Sequence, residues 1–393
     1  MTETVVASFA RTPFGRFQGA FQDLPAVDLG AAAIRGALER SKVPGELVDY
    51  LFMGMVLQAG AGQVPSRQAS IKANLPAAVP SDTINKVCAS GLRAANLADL
   101  LIRSGEASVV VAGGMESMSS APYLLEGARR GLRMGSGVLV DGMIRDGLWC
   151  PFHNVHMGVH GGRIPLEHGI TREEMDRWAL RSHRRAVAAA DRGFLKEEIV
   201  PVKVRRPKGE ELVVAEDELP RRDTSLEKLA ALPPVFEEGG PITAGNAPPI
   251  SDGAAALVLM SAQRARELGI EPLATIVSQA AVSQEPAYIA TVPAYAAQKA
   301  LQKAGLDARR VDLVEINEAF AAVTLTSMKL GGFPEEKVNV NGGAIALGHP
   351  IGASGARILM TLIAELRRRG GGYGLAAICS GAAQGEATVV KVD

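Results

Sequence analysis

The 393-residue sequence has few cysteines, few aromatic residues and no excess of charge of either sign. The cysteine count and the charge balance each argue against a class of protein. The three cysteines, Cys88, Cys150 and Cys379, are too few for a disulfide framework, so we expect reduced thiols in a cytoplasmic protein. Basic and acidic residues are equal at 42 each, without a basic run, which argues against nucleic acid as a partner. No apolar stretch approaches the roughly 20 residues of a membrane span, and no signal peptide is visible, so no membrane partner is predicted.

Aliphatic and small residues take the place of the aromatics, which make up only 4% of the chain. Hydrophobic residues amount to 47%, and glycine occurs 43 times, a composition that suits closely packed helices and sheets. The chain exceeds the size at which a single core stops growing. We therefore expect either several domains or one duplicated fold.

An internal repeat favours the duplicated fold. In each half an Ala-Ser-Gly triplet opens an apolar helix, which leads into a continuous apolar strand. Strands of this kind are covered on both faces, as in α/β proteins. We predict two similar α/β halves with the two helices buried between sheets, and chance similarity of Ala/Leu-rich helices is the alternative. The repeated landmarks are 37–38, 48–49, 89–91, 92–102 and 108–112, matched by 300–301, 311–312, 353–355, 358–366 and 374–378.

The composition changes between Met118 and Gly245. Glycine and arginine are dense at 127–137, Thr171 and Glu174 form a predicted capping box, and a charged stretch follows. This pattern is typical of an insertion of loops and short helices that covers a site. We predict three units: 1–120 plus 246–269 as the N-terminal half, 121–245 as an inserted loop domain, and 270–393 as the C-terminal half.

Cys88 lies just before a predicted helix, in the segment 85–91. The positive end of a helix dipole and free backbone amides favour a thiolate there, and the same amides can hold an oxyanion. The alternative is that Cys88 is a small buried hydrophobic residue, the usual role of a free cysteine in a core.

His349 lies between Gly348 and Pro350, in a segment at 339–355 that contains five glycines. A glycine-rich loop also fits a phosphate-binding role, but the Gly-Lys-Ser/Thr of a nucleotide-binding loop is absent. Cys379 ends the predicted strand of the second half, where sites collect in parallel sheets. The repeat can bring Cys88, His349 and Cys379 together, and a thiol beside an imidazole acts as a nucleophile or a proton carrier.

Two further groups of polar residues are candidates. Asn317 and Glu318 sit among apolar residues, where unpaired polar groups are costly, and helix capping is the alternative role. His156 and His160 would share a helix face, as metal ligands can. The segment 153–162 is interrupted by glycines, and we find no nearby cysteine or acid to complete a set, so no metal site is predicted.

The motifs together resemble the thiolase family over nearly the whole chain. The resemblance implies the thiolase fold, with two duplicated α/β halves in an αβαβα arrangement and a loop domain that binds coenzyme A and makes oligomer contacts. The segment around His349 is the most specific of the motifs. They are 85–91, 113–119, 243–246, 251–255, 317–320, 341–355 and 379–381.

The resemblance also implies a two-step Claisen reaction without a cofactor, since coenzyme A is a substrate. Cys88 would take the acyl group of an acyl-CoA while His349 accepts its proton, and Cys379 would deprotonate the second acyl-CoA. One oxyanion hole would consist of His349 and a water held by Asn317. The amides of Cys88 and Gly381 would form the other.

The substrate expected from the resemblance is short. His156-Met157 and the loop at 129–134 resemble those of biosynthetic, short-chain thiolases, which implies condensation of two acetyl-CoA and a homotetramer built as a dimer of dimers. The implied partners are therefore acyl-CoA, CoA and other copies of the chain. The residues expected to contact substrate or CoA are His156, Met157, Arg221, Phe236, Ala247, Pro248 and Ala319.

Three segments depart from the family pattern and put the pocket's shape in question. Pro248 replaces a serine that contacts pantetheine, 159–162 replaces Thr-Ala-Glu, and Ala382-Ala383 replaces two glycines. The alternatives are a degradative 3-ketoacyl-CoA thiolase of broader range, a decarboxylating ketosynthase-type enzyme, and a non-catalytic acyl-CoA-binding homologue. The second thiol, Cys379, argues against the ketosynthase type.

Overall fold

The computed structural model describes residues 2–205 and 209–393; residues 206–208 of the predicted loop domain lie outside the described residues. The strands are β1 Thr4–Arg11, β2 Gly15–Arg16, β3 Tyr50–Gly54, β4 Ser81–Ile84, β5 Val109–Ser117, β6 Tyr123–Leu125, β7 Leu139–Asp141, β8 Trp149–Cys150, β9 Val155–His156, β10 Val202–Arg205, β11 Glu211–Val214, β12 Ser251–Ser261, β13 Ala274–Ser283, β14 Leu313–Ile316, β15 Gly372–Ser380 and β16 Gln384–Val392. The helices are α1 Ala26–Ser41, α2 Pro65–Lys72, α3 Ser90–Ser104, α4 Met157–Glu167, α5 Arg172–Asp191, α6 Leu226–Ala230, α7 Ala262–Leu268, α8 Val292–Ala304, α9 Ala321–Gly331, α10 Ala344–Leu347 and α11 Ser354–Arg368.

The main sheet is a duplicated set of strands joined at a short seam. Its order is β4-β3-β5-β12-β1-β13-β16-β15-β14, with β2 paired to β12. At the seam, β1 and β13 pair only from Thr4 opposite Ile276 to Val6 opposite Ala274. On each side the pattern is the same, since the parallel pair β3–β5 and the antiparallel pair β5–β12 correspond to β14–β15 and β15–β16. The prediction of two duplicated halves is confirmed.

Helices and sheet halves alternate in five layers. The helices α3 and α11 lie in the centre, in a core with residues of both sheet halves such as Val110 and Ile378. The outer face of the first half is covered by α1 and α2, and that of the second half by α8 and α9. The resulting order is αβαβα, as predicted, because each sheet half is apolar on both faces and must be covered twice.

The repeated Ala-Ser-Gly triplet has a packing role where the central helices begin. A Cβ atom at Gly91 would lie 2.8 Å from the backbone nitrogen of Ala356, and one at Gly355 would lie 2.3 Å from that of Leu92. Only glycine permits this approach. The N-terminal ends of α3 and α11 are thereby brought together, which places Cys88 and His349 near one another.

The segment between β5 and β12 forms small hairpins and helices. Thr171 and Glu174 form the predicted capping box at the start of α5, with Glu174 N donating to Thr171 Oγ1 at 3.2 Å and Thr171 N donating to Glu174 Oε2 at 2.7 Å. The boundaries at 120, 245 and 269 remain predictions. Within the described ranges, none of the helices has the length and apolar character needed to cross a membrane.

The helix α4 differs from the expectation of a glycine-interrupted segment. It continues through Gly158 and Gly161, and aromatic rings occupy the space beside both glycines. A Cβ atom at Gly158 would lie 2.1 Å from the ring of Phe236, and one at Gly161 would lie 2.4 Å from that of Phe320. The glycines are therefore sites of close ring packing rather than breaks in the helix.

Candidate active site

A cavity of about 450 Å³ collects residues from both halves and from the inserted segment. Cys88 reaches it from the start of α3, His349 from the loop before α11, and Cys379 and Gly381 from the end of β15. Each of the predicted substrate contacts also lines it. These are His156, Met157, Arg221, Phe236, Ala247, Pro248 and Ala319.

A tight turn presents Cys88 to the cavity. Val87 has a φ of 45°, a left-handed conformation that is rare for a β-branched residue and marks a strained turn. The hydroxyl of Ser90 accepts from Lys86 N at 2.8 Å and donates to Val87 O at 2.6 Å. From the other half, Ser380 Oγ donates to Lys86 O at 2.6 Å, so both halves hold the turn.

The protonation state of Cys88 is set by burial. Burial raises the pKa of the thiol to about 12; its own amide and that of Gly381 donate toward the sulfur and oppose this, while the nearby Glu116 adds to it. The expectation that the helix start favours a thiolate is therefore outweighed by desolvation. Cys88 is therefore a neutral thiol near pH 7.

His349 presents an oriented imidazole to the same cavity. Its amide donates to Ser251 Oγ at 3.1 Å, and its Nδ1 lies 2.6 Å from Ser354 Oγ, which donates to Pro350 O at 2.9 Å. Because the hydroxyl proton is used on the carbonyl, Nδ1 is the donor to Oγ and the lone pair of the ring lies on Nε2. Burial, with a smaller contribution from Arg357, lowers the pKa of His349 to about 3, so the ring is neutral.

Asn317 follows β14 and faces the same imidazole. Its Nδ2 lies 3.5 Å from His349 Nε2, and its buried Oδ1 has no partner among the described residues. The neighbouring Glu318 points elsewhere and accepts from Trp178 Nε1 at 2.8 Å and Ser182 Oγ at 2.7 Å. Asn317 is thus the member of the pair that has a polar atom left for a water or a substrate.

Cys379 lies at the cavity end of β15 and is 2% exposed. Burial raises the pKa of its thiol well above the ordinary value, and the neighbouring Cys88 adds to this effect. A thiolate formed at Cys379 is consequently a strong base, suited to removing a proton from carbon.

Two residues that support this site were not singled out from the sequence. Ser354, which fixes the tautomer of His349, was recognised only as part of the repeated triplet. Glu116, at the end of β5, accepts from the amides of Val56 at 3.0 Å, Leu57 at 3.1 Å and Gly352 at 3.0 Å. Its carboxylate joins a loop of the first half to the loop that carries His349, and burial raises its pKa to about 7.

One wall of the cavity is aromatic. The ring of His156 stacks on Phe236 with centroids 4.2 Å apart, and Phe236 meets Phe320 edge-on at 5.9 Å. Gly158 N donates to His156 Nδ1 at 3.0 Å, and burial lowers the pKa of this histidine to about 4, so it is neutral. The stack narrows the space beside the thiols, while Arg221 is exposed at the rim of the cavity.

Comparisons with known proteins agree with this architecture. Residues 4–263 match the family described as thiolase, N-terminal domain, and residues 270–392 match thiolase, C-terminal domain. The chain therefore belongs to the thiolase family.

Similar proteins span the full chain. An acetyl-CoA acetyltransferase from Pseudomonas aeruginosa is 49% identical over 393 residues, with 100% of both chains covered. One from Escherichia coli is 50% identical over 392 residues, covering 100% of this chain and 99% of its own length. The crystal structure of the Bacillus anthracis acetyl-CoA acetyltransferase matches with a TM-score of 0.98 at 40% identity, covering 100% of this chain and 99% of that one.

Proposed function

We propose that this enzyme catalyses the reversible Claisen condensation of two acetyl-CoA to acetoacetyl-CoA and CoA, with Cys88 carrying the acetyl group. The observation that carries the proposal is one cavity that holds two thiols, Cys88 and Cys379, and the neutral imidazole of His349, whose Nε2 carries the lone pair. Full-length relatives at 49% and 50% identity bear the name of this activity.

The first half-reaction begins at neutral groups. As the sulfur of Cys88 attacks the thioester carbon, its proton passes to Nε2 of His349. The amides of Cys88 and Gly381 donate to the developing oxyanion, since both already face the sulfur. When the carbon–sulfur bond to CoA breaks, Cys379 protonates the leaving thiolate, which leaves an acetyl-enzyme, a Cys379 thiolate and an imidazolium.

The second half-reaction restores the starting state. The Cys379 thiolate removes a proton from the methyl carbon of the second acetyl-CoA, and protonated His349, with a water held by Asn317, donates to the enolate oxygen. The carbanion attacks the acetyl carbon, the bond to Cys88 breaks, and His349 returns its proton to that sulfur. Protons and charges balance over the cycle.

The aromatic wall favours short acyl chains. His156, Phe236 and Phe320 narrow the cavity at one side, and Met157 lies beside them. Arg221 at the rim suits the phosphates of CoA. Ala247 and Pro248 would then border the pantetheine arm, without the serine hydroxyl of the family pattern.

The decisive experiment is a chain-length profile of thiolysis. We expect rapid CoA-dependent cleavage of acetoacetyl-CoA and at least tenfold lower kcat/KM for substrates of eight to sixteen carbons. Cys88→Ala should abolish turnover, whereas His168→Gln, outside the cavity lining, should remain active. A flat profile would favour the broader degradative thiolase, and no cleavage of any substrate would favour the non-catalytic homologue.

We also infer that the chain assembles as a tetramer through the hairpin β6–β7. Met134 is 98% exposed, and Val138 and Leu139 are mostly exposed as well, an apolar surface suited to contact with another copy. We further infer that the chain acts in the cytoplasm, because a thiol nucleophile functions only while it is reduced. Met134→Glu with Leu139→Glu should reduce the mass measured by light scattering, and an unchanged mass would overturn the assembly.

A further inference from the structure

Three potential metal ligands converge outside the cavity lining. Cys150 ends β8, His153 lies in the turn to β9, and His160 lies in α4. Nδ1 of His153 is 3.2 Å from Nε2 of His160 and 3.8 Å from Sγ of Cys150, and all three ligand atoms lie within 4.8 Å of one another. Cys150 is the nearby cysteine that was not recognised from the sequence.

These separations fit a tetrahedral metal ion. Zinc binds histidine nitrogen at about 2.0–2.1 Å and cysteine sulfur at about 2.3 Å, which places neighbouring ligand atoms roughly 3.3–3.6 Å apart in a tetrahedron. The two distances of 3.2 and 3.8 Å bracket that range. The third pair, Cys150 Sγ and His160 Nε2, lies within 4.8 Å, so a metal ion fits among the three atoms once side-chain rotation brings this pair closer.

We propose that Cys150, His153 and His160 bind one divalent transition-metal ion, with zinc as the best match and solvent in the fourth position. A thiolate with two imidazoles is a donor set for borderline-soft ions and not for magnesium or calcium. His153 is 41% exposed, which gives the ion a route from solvent, while Cys150 and His160 are buried.

Glu285 supplies the supporting contact that such a site needs. Its Oε1 lies 3.2 Å from Nε2 of His153, the ring nitrogen that does not face the cluster. A carboxylate on the second nitrogen fixes the ring and strengthens it as a ligand. Glu285 follows β13, so the metal links the inserted hairpin to the C-terminal half.

The role assigned to this ion is structural. His156 and Met157, which line the cavity, are flanked in sequence by His153 and His160. Cys150 pairs with Val155 across the hairpin β8–β9. An ion at the cluster would hold the hairpin and the start of α4 together, and would stabilise the folded chain in proportion to its affinity. The inference does not depend on the acetyl-CoA reaction.

The test uses cobalt(II) as a spectroscopic probe in the full-length Cys88→Ala, Cys379→Ala double variant. Cys150 is then the only thiol of the chain, so a sulfur-to-cobalt charge-transfer band reports on this cluster alone. We expect saturation at one cobalt per chain, tetrahedral visible bands, and loss of both signals when zinc is added. Cobalt spectra without a sulfur-to-cobalt band, or no binding, would overturn the proposal.

Single substitutions distinguish the proposed metal ligands from residues that do not bind the ion. In the same background Cys150→Ser should remove the charge-transfer band, and His153→Gln and His160→Gln should each weaken binding at least tenfold. Glu285→Gln, at a more exposed position, should weaken it about 10–100-fold. The control is His168→Gln, which follows α4 outside the cluster and should bind cobalt unchanged.

A measurement of thermal stability with and without zinc distinguishes loss of the metal site from misfolding of a variant. In the Cys88→Ala, Cys379→Ala background, zinc should raise the thermal midpoint of the parent protein and of His168→Gln, and should raise that of Glu285→Gln by less at the same zinc concentration. Circular dichroism before addition should be the same for all three. Equal shifts in all three proteins would contradict the assignment, because the cluster would then not be where zinc binds.

Discussion

At the scale of single residues, burial holds the two reacting groups of the cavity in their neutral forms. It raises the pKa of Cys88 to about 12 and lowers that of His349 to about 3. A thiolate–imidazolium pair would require the opposite shifts. In the proposed mechanism the proton therefore crosses from sulfur to nitrogen during attack, and Ser354 matters because it leaves the lone pair of the ring on Nε2.

Labelling with iodoacetamide tests this protonation state. Since only the thiolate reacts, a Cys88 pKa far above 7 predicts a rate that rises about tenfold per pH unit between pH 7 and pH 9. Acetyl-CoA should protect the residue, and mass spectrometry of the peptide identifies it. The reference is Cys88→Ala, which should lose the protected label. A rate independent of pH between 6 and 8 would show a thiolate already present and contradict the prediction.

The sequence predicted the residues that meet in the cavity better than their chemical state. Cys88 and His349 were identified because one precedes a helix and the other lies in a glycine-rich loop. The pKa shifts depend on how many atoms of other segments surround each group. The residues next to a group in the sequence do not carry this information. The roles of Ser354 and Glu116 were missed for a related reason, because their partners lie in loops brought close only by the fold.

At the scale of secondary-structure elements, the turn between β15 and β16 is strained. Ala382 and Ala383 have φ angles of 59° and 49°, in the left-handed region that glycine occupies without penalty. For alanine this region costs about 1–2 kcal/mol per residue. The turn adjoins Gly381, whose amide faces Cys88. Two alanines thus occupy positions where the family pattern has glycine, and they lower the stability of the folded protein by a measurable amount.

Ala382→Gly should stabilise the protein. Relief of the left-handed strain exceeds the entropy that glycine adds to the unfolded chain, for a net gain of about 0.5–1 kcal/mol. Urea or thermal unfolding followed by circular dichroism gives the change. Ala188→Gly, at an exposed position in α5, should do the reverse and lose about 1 kcal/mol. If both variants lose stability equally, the turn is not strained.

Helices could be predicted where a local sequence pattern determines them, and less well where packing against distant segments determines them. The Ala-Ser-Gly triplets predicted the two central helices, and the capping box at Thr171 predicted the start of α5. The helix α4 was not expected to continue through Gly158 and Gly161, because the rings that pack on them come from distant segments. For the same reason the convergence of Cys150 with His160 required the folded structure.

At the scale of the whole molecule, the cavity exists only while the two halves are docked. The buried Glu386 of β16 accepts from Lys86 Nζ at 2.6 Å and from Asn96 Nδ2 at 2.9 Å, both in the other half. Arg93 lies 3.5 Å from the same carboxylate. One acid of the second half therefore neutralises charges beside the turn that presents Cys88.

Glu386→Gln should weaken this contact and the reaction together. Loss of one partner of a buried pair costs about 3–5 kcal/mol, and we expect about 2–3 kcal/mol because Lys86 retains some exposure to solvent. Lys86 is two residues from Cys88, so kcat should fall more than KM rises. The comparison is Glu267→Gln, whose carboxylate pairs with Arg264 on the surface and should change stability by less than about 0.5 kcal/mol. If Glu386→Gln unfolds and turns over like that surface variant, the charge of Glu386 has no part in holding the halves together or in shaping the site.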